Sequence, residues 1–251
     1  MQKKIFSCWF GGKKKDGLSN VCLKSWRKNL SQYNFFEFTE NNFDYTKHHY
    51  TQKAYEKKQW AFLSDYVRIW GLYHEGGIYL DTDIELIKGL DYFLENRVFL
   101  GFADEKNIGT AVIGGEKGHP FFKSILEYYD KAKQGSGNNK IITDILYNYG
   151  LPKNRDIKKT YHLQEGIVIY PKEYFEPIDY NHRHKTPEEN KKHYVTQNSY
   201  TIHYSKLSRI TNRMRCKHYV GIGLEKIGLR KPIKKVLIKL GILDPKVYGY
   251  E

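Results

Sequence analysis

The chain has 251 residues and carries 42 Lys and Arg against 28 Asp and Glu, a formal net charge of +14. Its length suits one sizeable domain or a domain with a small annex, and its charge implies attraction to an anionic partner, whether nucleic acid, anionic lipid or a nucleotide sugar. Three scattered cysteines, Cys8, Cys22 and Cys216, have neither zinc spacing nor a disulfide framework, which points to a reducing cytoplasm, and no apolar run reaches the ~20 residues that a membrane span needs.

Lys4 to Trp9 reads as a first strand, Gly11 to Gly17 as a nucleotide loop or a flexible surface turn, Leu18 to Asn29 as a helix and Asn34 to Phe38 as a second strand. A helix is predicted from Trp60 to Trp70, because Trp60, Leu63, Val67 and Trp70 recur at helical spacing and make a core-facing stripe. The opposite face carries Ala61, Ser64, Asp65 and Arg68. Two small side chains there let a ligand approach the backbone, and an acid and a base at i and i+3 brace each other while reaching outward. An exposed surface ion pair explains Asp65 and Arg68 as well.

The run Gly76-Gly77-Ile78-Tyr79-Leu80-Asp81-Thr82-Asp83 follows, a double-glycine turn and an apolar strand that ends in two carboxylates. Side chains two apart on an extended chain point to the same side, so Asp81 and Asp83 present their oxygens together while Thr82 faces away. Hard oxygen ligands suit magnesium or manganese. A metal so held usually carries a phosphate too, which points to a nucleotide diphosphate; a solvated strand end is the plainer reading of the same residues. Val98 to Phe102 and Ala111 to Gly114 read as further strands, His119-Pro120 opens a helix through Ala132, and Gln134 to Asn139 reads as a flexible loop. Alternating strands and helices imply an α/β layered domain around a mainly parallel sheet.

Ala-x-x-Ser-Asp-x-x-Arg on a helix, then Gly-Gly-x-Tyr-x-Asp-x-Asp, resembles the sugar-binding region of glycosyltransferase family 32, which includes bacterial capsule and lipopolysaccharide transferases and recurs in clostridial glucosylating toxins. Supporting matches are the start Lys4-Ile5-Phe6-Ser7-Cys8-Trp9-Phe10-Gly11-Gly12, Lys57 to Ala61, Gly114 to Pro120 and Ile169 to Pro177. The resemblance spans residues 1–205 and implies a GT-A type, Rossmann-like fold with the nucleotide at the strand ends. It implies a metal-dependent, retaining hexosyltransferase that takes its sugar from a nucleotide diphosphate, UDP-galactose or another UDP-sugar, with Mn2+ or Mg2+ as cofactor. In that reading Asp81, Asp83, Asp65 and Arg68 are catalytic. The donor is contacted by Trp9, Phe10, Gly11, Ala61, Ser64, Asp65, Arg68, Tyr79, Asp81 and Thr82, with Trp9 stacking the base unless it is a buried strand aromatic. Thr201-Ile202-His203-Tyr204-Ser205 resembles the family's late His-His-Tyr-Ser segment and adds His203 and Ser205 to the metal ligands. The chain departs from the pattern here: Tyr204 replaces the second His, and Arg209 stands where a tryptophan is expected. Asn107 and Gly109 to Gly115 are expected to face the acceptor, Asp104 and Glu105 are the carboxylates nearest to a nucleophile role, and a same-face substitution needs no enzyme base.

Residues 206–251 differ in kind. Arg209, Arg213, Arg215, Lys217 and His218 form a basic run, and from Arg230 a short helix sets Ile233, Val236, Leu237 and Leu240 against Lys231, Lys234, Lys235 and Lys239. That pattern suits a helix lying in an anionic membrane interface, or one packed on the parent domain. The expected whole is a GT-A domain, 1–205, with a basic C-terminal helical extension, 206–251, at the inner face of the bacterial membrane, acting on a lipid-linked glycan acceptor. Two other classes compete. A nucleic-acid-binding protein would suit the charge and the 22 tyrosines, but the lysines are dispersed and no RNP, helix-turn-helix or KH pattern occurs. A nucleotidyltransferase or phosphohydrolase would also use Asp81 and Asp83, but Gly11-Gly12-Lys13-Lys14-Lys15 only loosely imitates its glycine-rich loop.

Overall fold

The computed structural model describes residues 1–132, 138–178 and 187–205. The chain divides into two units after Lys206, and the expected amphipathic helix lies outside the described residues.

Strand β1 (Lys4–Cys8) leads into helix α1 (Gly17–Asn29), whose first turn is capped by the Asp16 carboxylate accepting from the Ser19 N–H at 2.9 Å. Strand β2 (Asn34–Phe38) then returns parallel to β1. Helices α2 (His49–Glu56) and α3 (Trp60–Glu75) cross to β3 (Gly77–Leu80), which pairs in parallel with the other side of β1. The tight turn from α3 into β3 explains the paired glycines. Gly76 and Gly77 have φ of +67° and +112°, and a Cβ on Gly77 would meet the Lys4 carbonyl oxygen at 2.6 Å. The chain continues through β4 (Ile84–Leu86), β5 (Val98–Gly101), β6 (Val112–Gly115), α4 (Pro120–Lys131), α5 (Asn138–Leu146), β7 (Tyr161–His162), β8 (Ile167–Tyr170), α6 (Lys172–Phe175), α7 (Pro187–Tyr194) and β9 (Thr201–His203).

The main sheet has the order β2-β1-β3-β6-β5-β8-β7, while β4 and β9 form a separate antiparallel pair. Strands β1, β2, β3, β5 and β8 share one direction; β6 and β7 run against them. The sheet is therefore largely parallel, as expected, with antiparallel β6 inserted between β3 and β5.

Alternate residues along the strands feed two cores. Phe6, Tyr79, Ile113, Ile167 and Ile169 face one side with Leu63, Val67, Phe121 and Ile142 from the helices; Ile5, Ile78, Leu80, Val112 and Val168 face the other with Trp26 of α1 and Phe93 and Phe175. This three-layer arrangement explains why the strands read as unbroken apolar runs. It also corrects the reading of α3. Packed against α2, α4 and strands β1, β3 and β6, that helix is not amphipathic in place. Leu63 and Val67 are buried as expected and Trp60 and Trp70 only partly, while on the polar face Asp65 and Arg68 are buried, 0 % and 4 % exposed, and Ala61 and Ser64 only partly.

Asn138 and Asn139, expected in a loop, open α5 instead, where buried Asn138 accepts a hydrogen bond from the Tyr129 hydroxyl at 3.1 Å. A tertiary contact here outweighs weak local helix propensity.

Candidate active site

The order β2-β1-β3 places a topological switch at the β1/β3 boundary: α1 packs on one face of the sheet and α3 on the other. In open α/β sheets the crevice beyond the strand ends at such a point is where ligands bind. Two segments leave the sheet there, the loop that begins at Trp9 and the run Asp81-Thr82-Asp83.

Asp81 and Asp83 lie in a turn rather than on an extended strand, because β3 ends at Leu80 and the Ile84 N–H donates to the Asp81 carbonyl at 3.0 Å. Their carboxylates converge through that turn and not through strand alternation. Asp83 is buried at 8 % exposure, and partly buried Thr82 sits between the two. The turn runs straight into β4, whose Ile84 pairs with His203 of β9, and the Tyr204 N–H donates to the Asp83 carbonyl at 3.1 Å. This antiparallel pairing carries His203 across about 120 residues of sequence. A carboxylate oxygen from each of Asp81 and Asp83 and a ring nitrogen of His203 all lie within 4.8 Å of one another. His203 Nε2 stands 3.6 Å from Asp83 Oδ1.

Each member is held from behind. Asp81 accepts from the Tyr79 hydroxyl at 2.5 Å and from Arg68 at 3.2 Å. Arg68 also pairs with Asp65 at 3.2 Å, donates to the Thr110 carbonyl at 2.6 Å and stacks over the Tyr79 ring at 4.5 Å. Burial by itself would weaken the Arg68 charge, but Asp81, Tyr79 and Asp65 outweigh it and hold the guanidinium charged. Burial, with the Asp81 charge beside it, pushes the Tyr79 hydroxyl well up, so it remains a donor. Burial would likewise lower His203, yet the carboxylates of Glu176 and Asp83 prevail and raise it well above the ordinary histidine range.

The structure thus brings Asp65, Arg68, Tyr79, Asp81, Asp83 and His203 into one cluster. Asp65 and Arg68 are buried side by side, and Arg68 pairs with both Asp65 and Asp81. Ser205 stands behind the imidazole, its hydroxyl 3.2 Å from Nδ1, away from the nitrogen that faces Asp83.

The other residues expected to contact the donor lie on the loop after β1 and the start of α3. Trp9 is partly buried, donating Nε1–H to the Lys13 carbonyl at 2.6 Å, with the Lys15 ammonium 5.0 Å from its ring centre. Phe10 is buried and meets Phe43 edge-on, so its ring belongs to the core. Gly11 takes φ +93° and a Cβ there would meet the Trp60 indole at 2.7 Å; its smallness admits Trp60. Ala61 and Ser64 are partly buried on the first turns of α3.

Gly109 to Gly115, expected to face the acceptor, is buried and ends in β6. Asn107 closes an exposed turn with Asp104, whose carboxylate accepts from the Lys106 and Asn107 N–H groups at 2.8 Å each. Sequence reasoning missed Thr110, whose carbonyl anchors Arg68, and Glu176, which holds His203. Glu176 lies in the Ile169–Pro177 run that supported the resemblance, but no periodicity marks it.

Two family descriptions match the chain. "Glycosyltransferase sugar-binding region containing DXD motif" covers residues 18–100, and "Alpha 1,4-glycosyltransferase conserved region" covers residues 114–220. The first contains the whole Asp65, Arg68, Asp81 and Asp83 set; the second contains Glu176 and His203. The chain is a glycosyltransferase with a DXD motif, and both matches are consistent with the family 32 type. Its sheet is mixed α/β and largely parallel, as a GT-A type fold would require. No curated protein matches the glycosyltransferase sequence. Solved structures similar to it include a PaToxG glycosyltransferase, 17 % identical over 59 % of this chain and 68 % of that one, with a TM-score of 0.47. Another is a glycosyltransferase involved in glycosylation of the major capsid of PBCV-1, 12 % identical over 82 % and 95 % of the two chains, also at 0.47.

Proposed function

We propose that this glycosyltransferase transfers a hexose from a UDP-sugar, UDP-galactose among them, to a glycan acceptor with retention of anomeric configuration, using a divalent cation held by Asp81, Asp83 and His203. The observation that carries the reading is the convergence of two carboxylates and an imidazole at the end of β3. The donor set fits such an ion. Two carboxylates suit magnesium or manganese, and an imidazole nitrogen tilts the choice towards manganese. When bound, the cation would stabilise the negative charge that develops on the departing diphosphate.

The protein's own residues do the rest. Tyr79 and Arg68 lock the Asp81 carboxylate in one orientation, so little reorganisation is needed as charge develops at the donor. Trp9 offers an aromatic face for the base, and Ala61 and Ser64 leave room beside the start of α3. The bond between the anomeric carbon and the phosphate oxygen breaks while the acceptor oxygen bonds to the same face, and the acceptor proton passes to the leaving phosphate. No enzyme carboxylate is required as nucleophile, which agrees with the turn-closing duty of Asp104. Retention from an α-linked donor gives an α-linked product, in keeping with the second matched description.

Residues 1–205 are the catalytic domain in this proposal, and the basic segment 206–251 brings it to the anionic inner face of a bacterial membrane, where a lipid-linked acceptor in capsule or lipopolysaccharide synthesis is reached. No helix among the described residues is long and apolar enough to cross a membrane. Incubation with a panel of UDP-hexoses and Mn2+ tests the reading: sugar-dependent release of UDP supports it, and the absence of release from every donor overturns it.

A further inference from the structure

Glu176 is 5 % exposed, and a buried carboxylate requires a partner. It sits at the C-terminal end of the single-turn helix α6, its N–H donating to the Lys172 carbonyl at 2.9 Å and its own carbonyl accepting from the Lys172 ammonium. Its side chain turns inward. One oxygen accepts from Nδ1–H of His203 at 3.1 Å; the other lies so close to the Gly109 backbone that a Cβ there would meet it at 2.3 Å. The strand that carries His203 is tied to the same helix, since the Thr201 hydroxyl donates to the Phe175 carbonyl at 2.6 Å and the Tyr200 N–H to the Tyr174 carbonyl at 2.8 Å. The elements that carry Glu176 and His203 are therefore joined to each other.

We propose that Glu176 is the positioning residue of the metal site: it fixes the tautomer and ring plane of His203 so that Nε2, not Nδ1, is offered beside Asp81 and Asp83. The proposal rests on the Asp81, Asp83 and His203 reading given above and adds the residue that completes it. An imidazole can bind a cation through only one nitrogen, and the partner of the other nitrogen decides which. A carboxylate on the far nitrogen also raises the basicity of the ligating one and removes the ring's rotational freedom. Residues in that position typically set metal affinity by about 10–100-fold. Glu176 is not itself a ligand: the converging atoms come from Asp81, Asp83 and His203, with Glu176 on the opposite edge of the ring.

The test is Mn2+ uptake by the full-length protein, followed through the electron paramagnetic resonance signal of the free ion. Glu176→Ala is expected to weaken uptake about 10–100-fold. Glu176→Gln should fall between the two, because its amide oxygen still accepts from Nδ1–H but carries no charge. In a His203→Ala background, Glu176→Ala should cost nothing further, a result that a merely structural role would not give. Should the alanine variant fail to fold, 15N shifts of His203 in the Zn2+-loaded wild-type protein answer the same question: a protonated Nδ1 with a metallated Nε2 supports the assignment, and the reverse overturns it. Wild-type affinity in both Glu176 variants while Asp83→Asn loses uptake overturns the positioning role alone. No uptake by the wild-type protein overturns the metal site and this role with it.

Discussion

Among single residues, Asp83 is the one on which the proposed cation site most depends. Its carboxylate is buried beside His203, and Asp83→Asn keeps the shape while removing the charge, so the variant is expected to stay folded and to lose Mn2+ binding and transfer together. Circular dichroism with the Mn2+ titration checks this; transfer at the wild-type rate would remove Asp83 from the site. His203 adds a pH dependence with a definite sign. Its folded pKa is raised by Glu176 and Asp83 against the effect of burial, so the cation-free protein gains stability from this proton below the ordinary histidine pKa and loses the gain as pH rises through the elevated one. Metal binding requires the deprotonated nitrogen. Mn2+ should therefore release about one proton per ion at neutral pH and bind more weakly as pH falls. Calorimetry in two buffers of different ionisation enthalpy measures the release, and buffer-independent heats would contradict it.

At the level of elements, α3 is the piece whose role changes most between sequence and structure. Its Asp65 and Arg68 look like donor-binding groups on an exposed face, yet both are buried, with side chains 1 % and 4 % exposed. Breaking such a pair leaves an uncompensated buried charge, which costs about 3–5 kcal/mol. Arg68→Ala is accordingly expected to lower stability by about that much in urea unfolding. Arg68→Lys should recover little, because one ammonium cannot reach Asp65, Asp81 and the Thr110 carbonyl together. A stable Arg68→Ala protein with lowered sugar discrimination alone would restore the outward-reaching role. The first strands, α1, α3, β5, β6 and α4 were legible in the sequence because apolar runs and helical spacing mark buried elements directly. The Asp81 and Asp83 pair was legible as a motif, although a turn rather than strand alternation brings the two together. What the sequence hid depends on long-range pairing. The short strands β4 and β9 carry too few residues to show a period, α6 is a single turn, and Glu176 acquires its meaning only when β9 delivers His203 to it. The burial of α3 was equally hidden, since helical spacing cannot say how many neighbours close around a helix.

For the molecule as a whole, charge and architecture point to the same kind of partner. The net charge of +14 favours anionic ligands and surfaces, while the Asp81, Asp83 and His203 cluster lies just beyond the end of β3, at the α/β switch point. If the basic segment 206–251 docks on anionic lipid, truncation after Leu224 should leave donor hydrolysis nearly unchanged and reduce transfer to a lipid-linked acceptor. Binding should also weaken with salt, since each lysine near the surface contributes about 1 kcal/mol through a screened interaction. Liposome flotation at graded anionic content and ionic strength measures this, and full-length protein that ignores anionic liposomes at low salt would remove the membrane role. The chemistry has a more direct test. Purified protein supplied with UDP-hexose and Mn2+ should generate free UDP, lose that activity with chelator and regain it on adding Mn2+; pyrophosphate or orthophosphate as the product instead would contradict sugar transfer and reassign the cluster to nucleotidyl transfer or phosphate hydrolysis.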